Sequence, residues 1–213
     1  MHDSMKKTIL SVAVSLLYNV SPAQEVLTQV AKYYFRANPF NQEIGNFLQQ
    51  LVHDPTLINT SVFKRTDTSL FYFKGEYKYH NPFFFKAKRT QVVLAEREVV
   101  LNDSLHLIDT VMTYQVAGYT YGGKDGLNDV KQEFGKFDRK YIKKFVHNEL
   151  TNLKLRDEVY GGIRDYYLDF SYLSPLSASW QKIGTSNENV FVITLRFKIS
   201  GDIAVLPVTS DSP

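Results

Sequence analysis

Apolar residues along this chain recur first at helical spacing and then in strict alternation, and the changes of period mark its elements. Val26, Leu27, Val30 and Tyr34 share one helical face. A second helix is expected next, with Asn38 as cap, Pro39 in the first turn and Phe40, Ile44, Phe47, Leu48 and Leu51 on one side. His53-Asp54-Pro55 ends it. The pattern then turns to strands over Val62 to Arg65, Leu70 to Tyr79, Thr90 to Leu101 and Leu105 to Tyr119, separated by Asp67-Thr68-Ser69, His80-Asn81-Pro82 and Asn102-Asp103-Ser104.

A long amphipathic helix is predicted over about 126–153. Leu127, Val130, Phe134, Phe137, Tyr141, Phe145 and Val146 form its apolar stripe, and Lys136, Arg139, Lys140, Lys143 and Lys144 cover the rest. Gly135 is a candidate kink, and Asp125 or Asn128 a candidate cap. Strands return at Tyr166 to Tyr172, Ala178 to Ile183 and Val190 to Ile199, the last two joined by Gly184-Thr185-Ser186-Asn187. Helices, a run of strands, one long helix and more strands make an α+β order. The expected fold is a curved antiparallel sheet with the N-terminal helices and the long helix packed on one face. No internal repeat, low-complexity tract or linker is visible.

The start of the chain adds an address. Met5-Lys6-Lys7, the apolar run Ile9 to Leu17 and Ser21-Pro22-Ala23 follow the plan of a secretory leader, with translation expected to start at Met5 and cleavage after Ala23. Residues 1–23 are thus read as a signal peptide and 24–213 as one exported domain, periplasmic or secreted. The leader resembles that of Gram-negative exported proteins. A mature start at Gln24-Glu25 resembles envelope proteins of the Bacteroidota, a resemblance that covers the leader alone and brings no catalytic residue with it.

Composition narrows the classes further. The chain carries 25 Lys and Arg against 22 Asp and Glu, a net charge of +3, which falls to +2 once Asp3, Lys6 and Lys7 leave with the leader. Nucleic-acid binding, which calls for a strongly basic face, is not expected. Cysteine is absent, so neither disulfides nor an N-terminal lipid-modified cysteine is available and stability rests on core packing. No later segment has the roughly 20 apolar residues of a membrane span.

Candidate chemistry is sparse. Gly118 to Asp125 nearly matches a phosphate-cradling loop, but Asp125 stands where a magnesium-binding hydroxyl is needed, which makes a strand-to-helix turn the better reading. Ser179 to Lys182 and Ser61 to Lys64 match Ser-x-x-Lys, yet both lie on expected strands and the companion Lys-Thr-Gly is missing. His53, His80, His106 and His147 are scattered, so no metal site or cofactor is expected.

Two features remain. Alternation in Val92 to Leu101 puts Glu96 and Glu98 on one face and Arg97 on the other, with the carboxylates roughly 6 to 7 Å apart, near the spacing of glycosidase pairs. The segment 71–89 mixes Phe and Tyr with Lys86, Lys88 and other cations. Tyr77, Tyr79 and His80 beside its turn are expected to be its exposed members. The leading expectation is a non-enzymatic exported binding or accessory protein that engages a partner protein or an envelope glycan or lipid. Tyr77, Tyr79, His80, Lys86, Lys88 and Arg97 are its candidate binding residues. The alternative is a small envelope hydrolase that uses Glu96 and Glu98.

Overall fold

The computed structural model describes residues 22–40, 42–64, 71–80, 84–85, 87–102, 107–168, 173–184 and 187–197; within these, side chains are described except at 22–24, 63–64, 71–72, 97–102 and 107–110. Helix α1, Pro22–Val30, runs into a π-helical turn, Ala31–Phe35, and α2 spans Ile44–Val52. Four strands follow: β1 (Leu57–Lys64), β2 (Phe71–Tyr77), β3 (Arg89–Asn102) and β4 (Leu107–Tyr121). Then come α3 (Lys124–Tyr141), a 3-10 turn at Ile142–Lys144, and strands β5 (His147–Leu155), β6 (Glu158–Tyr167), β7 (Leu176–Ile183) and β8 (Glu188–Phe197).

All eight strands join one sheet in the order β1-β2-β3-β4-β8-β7-β6-β5, and every described pairing is antiparallel. Each half of the chain therefore lays down helix and then a four-stranded meander, and β4 against β8 zips the two meanders together. That architectural repeat leaves no repeat in the sequence.

The three helices cover one face of the sheet. Along β4, Met112, Tyr114 and Val116 are fully buried; across the ladders Met112 meets Glu96 and Phe197, Tyr114 meets Leu94 and Leu195, and Val116 meets Val92 and Ile193. Phe35 and Phe47 of the N-terminal helices pack their rings on Tyr114, with centroids 4.5 and 5.0 Å apart. Phe137 of α3 meets Tyr34, Tyr141, Tyr166 and Phe191 within 6.1 Å. Such edge and tilted contacts add about 0.5–1.5 kcal/mol each beyond area burial. In a chain with no cysteine, this aromatic layer does the work of cross-links.

The π-helical turn is fixed by its exit. The Phe35 carbonyl accepts from the Ala37 amide at 2.7 Å, the buried Tyr77 hydroxyl at 2.6 Å and the Tyr114 hydroxyl at 3.3 Å. Arg36 follows in the left-handed region, φ 62°, and donates to the Tyr79 and His80 carbonyls while lying over the Tyr77 ring.

Several elements differ from the expected boundaries. The long helix ends at Tyr141 rather than near 153. Beyond a single 3-10 turn, Phe145 drops onto Tyr166 at 5.3 Å and residues 147–155 pair with β6 as an edge strand. The 3.6-residue stripe continues by chance through Phe145 and Leu153, while Asn148, Thr151 and Asn152 weaken the helix that it implied. Strand β6 occupies Glu158–Tyr167, ahead of the expected 166–172, of which 169–172 lie outside the described residues. Strand β1 begins at Leu57, five residues early. Asn38 caps no helix: its side-chain oxygen accepts the Phe40 amide at 3.0 Å in a local turn, and α2 starts later, at Ile44. Neither Asp125 nor Asn128 caps α3, whose N-cap is Gly123 at φ 94°, a conformation suited to glycine.

Candidate functional site

Alternation along the central strands sends a second set of side chains to the face opposite the helices. On β4 these are Val111, Thr113, Gln115, Ala117, Tyr119 and Tyr121. The ladders place Ala95, Val93, Gln91 and Arg89 of β3 on one side of them and Arg196, Thr194, Val192, Val190 and Glu188 of β8 on the other. Ser177 and Ser179 extend the row onto β7. The middle of this face is a floor of small or short side chains. Among the described residues no helix packs against it.

Charge and aromatic groups gather at one end of that floor. The Gln91 amide donates to Glu76 at 2.8 Å, and Asn59 donates to the other carboxylate oxygen at 3.2 Å. Arg89 lies 3.9 Å from Glu76 and donates to Glu188 at 2.9 Å, while Lys88 approaches the same Glu188 at 3.8 Å. The two cations also sit over tyrosines, Arg89 3.7 Å from the Tyr119 ring centroid and Lys88 4.7 Å from that of Tyr121. Four strands thus contribute charged or amide groups to one chain of contacts, and β4 supplies its aromatic bed. The Gln91 hydrogen bond, helped by Asn59, Arg89 and Lys74 against some desolvation, holds the Glu76 carboxyl below the usual carboxylate range. Tyr121 is 69% exposed and Lys88 is exposed beside it, so the cluster offers an ordered aromatic and a cation to solvent.

The other end of the same face carries a smaller network. Arg196 pairs with Asp165 at 3.1 Å and donates to the Ser174 carbonyl at 3.1 Å. His147 contacts Glu149 at 3.0 Å and lies against the Tyr167 ring. Burial first, and then the Asp165 and Glu149 carboxylates, raise the Tyr167 hydroxyl above its ordinary value.

The residues singled out from sequence scatter across this picture. Lys88 belongs to the first cluster. Tyr79 and His80 are exposed where their strand ends, with their carbonyls tied to Arg36. Tyr77, expected at an exposed tip, is 8% exposed and part of the core, because the odd positions of β2 face the helices and its hydroxyl finds the Phe35 carbonyl there. Burial accordingly pushes that hydroxyl well above its ordinary value. Glu96 stands opposite Met112, on the helix-covered face and only partly exposed. Glu98 registers with Thr110 and Arg97 with Val111, but the side chains of both lie outside the described part of the structure, as does Lys86 altogether.

The Gly118 to Asp125 stretch has structural reasons for its glycines. A Cβ at Gly118 would stand 2.4 Å from the Phe84 ring and 2.6 Å from that of Phe85. Sequence reasoning passed over Glu76, Tyr119, Tyr121 and Glu188, and met Arg89 only as one cation of the 71–89 segment. Alternation alone could have put Arg89 with Gln91 and Tyr119 with Tyr121, but Glu188 arrives through the β4–β8 pairing from far along the chain. No protein-family model, curated protein or solved structure matches this chain.

Proposed function

We propose that this is an exported, non-enzymatic binding protein of the bacterial cell envelope that engages a partner protein through the sheet face opposite its helices. The observation that carries this reading is the cluster of Lys88, Arg89, Tyr119 and Tyr121 held on Glu76 and Glu188. Tyrosine and arginine are the residue types that dominate interface energetics. Prior stacking and ion pairing lower the entropy lost when they are fixed by a partner. Export is supported by the leader pattern of residues 1–23.

The test is affinity capture from envelope extract with the intact protein as bait, followed by measured binding of whichever protein is retained. Tyr121→Ala should weaken that binding about thirtyfold or more, the scale of an interface tyrosine. Lys88→Ala should chiefly alter its dependence on salt. Melting temperatures should hardly move, because neither side chain is part of the core. A partner bound equally well by both variants would place the interface elsewhere.

A further inference from the structure

The charge of this protein is concentrated in one place. Between Lys131 and Lys144 the chain holds six cations, Lys131, Lys136, Arg139, Lys140, Lys143 and Lys144, against Glu133 and Asp138, a net of +4 where the whole chain has +3. Both carboxylates are already engaged. Glu133 pairs with Lys136 at 3.2 Å, and Asp138 turns inward to Arg164 at 3.2 Å and to the Tyr166 hydroxyl at 3.0 Å. Arg139, Lys140, Lys143 and Lys144 are exposed, and among the described residues no carboxylate lies within ion-pair distance of any of them.

Their setting is aromatic and apolar. The Lys140 ammonium lies 5.0, 5.8 and 5.1 Å from the ring centroids of Tyr33, Tyr34 and Tyr141, and Lys144 lies 5.7 Å from Tyr141. Val146, two residues past Lys144, is 62% exposed. Partial burial first, and then the neighbouring Lys144 charge, lower the Lys140 pKa.

From this we infer that the C-terminal end of α3 and its 3-10 turn form a docking surface for an anionic phospholipid membrane, with Arg139, Lys140, Lys143 and Lys144 facing the headgroups. Charge complementarity favours a surface of many phosphates over a single anion. The cations are spread along two helical turns and do not converge on one point, and an exposed valine and half-buried tyrosine beside them suit the headgroup boundary. This surface lies on the helical layer, away from the Tyr121 cluster, and the inference does not rest on the proposed protein partner.

The experiment is co-sedimentation of the full chain with vesicles of phosphatidylcholine alone and of phosphatidylcholine mixed with phosphatidylglycerol. Binding is expected to be stronger to the mixed vesicles, and that excess should fall as salt rises. The triple variant Lys140→Gln, Lys143→Gln, Lys144→Gln should bind about a hundredfold more weakly, at roughly tenfold or less per cation. A charge-matched control, Lys78→Gln, Lys154→Gln, Lys182→Gln, should bind like the parent, and circular dichroism should show both variants folded. Residues 1–23 are common to every variant, so differences between variants report the α3 patch alone. Equal loss in both triple variants would show a response to net charge only and overturn the inference. So would equal binding to the two vesicle types, or retention of binding by the α3 variant.

Discussion

At the scale of single residues, Glu76 shows how one carboxylate can organise a surface. It accepts from Asn59 of β1 and Gln91 of β3 and neighbours Arg89, so three adjacent strands are tied through its two oxygens. Its folded-state pKa is depressed, so its contribution to stability is present above the unfolded value and is lost as pH falls through the folded one. Melting curves of the parent and Glu76→Gln should therefore differ most near about pH 6, the parent being the more stable, and the difference should shrink as pH falls below the usual carboxylate range. A difference that stayed constant over that range would mean that the carboxylate charge is not what the network uses. Tyr77 teaches the opposite lesson. One position of β2 away, a ring that pattern reading places at a tip is sealed by a carbonyl from the π-helical turn.

At the scale of elements, α3 is held by a few rings. Phe137 is 2% exposed and touches aromatic groups from the π-helical turn, β6 and β8 as well as Tyr141 of its own helix. Replacing it with alanine removes contacts from all of these at once. Phe137→Ala should cost about 3 to 5 kcal/mol in urea unfolding with an unchanged m-value, as expected for a cavity in a packed core. A cost near zero would detach the helix from the sheet as described. The end of α3 is set by the same packing. Once Phe145 is drawn onto Tyr166, the backbone that follows is extended and aligned with β6, and pairing outweighs the weak helical propensity of residues 147–155.

At the scale of the whole molecule, the two meanders and the helices share one continuous core. Intact mass of the protein recovered from the cell envelope should start at Gln24, with or without cyclisation of that glutamine. Recovery of the uncut chain from cytoplasm alone would overturn the export reading. The sheet also separates two surfaces. The face opposite the helices carries balanced ion pairs and, at one end, the exposed Tyr121, while the helical layer carries the unbalanced cations of α3.

Local pattern was enough for what depends on one element at a time: the amphipathic N-terminal helix, the apolar stripe of Phe137 and Tyr141, the alternation in β3, β4 and β8, and the α+β order. Each follows from the period of side chains along a helix or strand, which short-range sequence displays. The joining of β4 to β8 does not, because antiparallel pairing between distant strands depends on backbone groups that every sequence shares. That join alone brings Glu188 to Arg89 and Lys88. Tertiary structure likewise decided that Tyr77 is core, that α3 stops at Tyr141, and that Lys88 and Arg89 gather on Glu188 beside Tyr119 and Tyr121, because burial and ion pairing depend on the neighbour across the ladder.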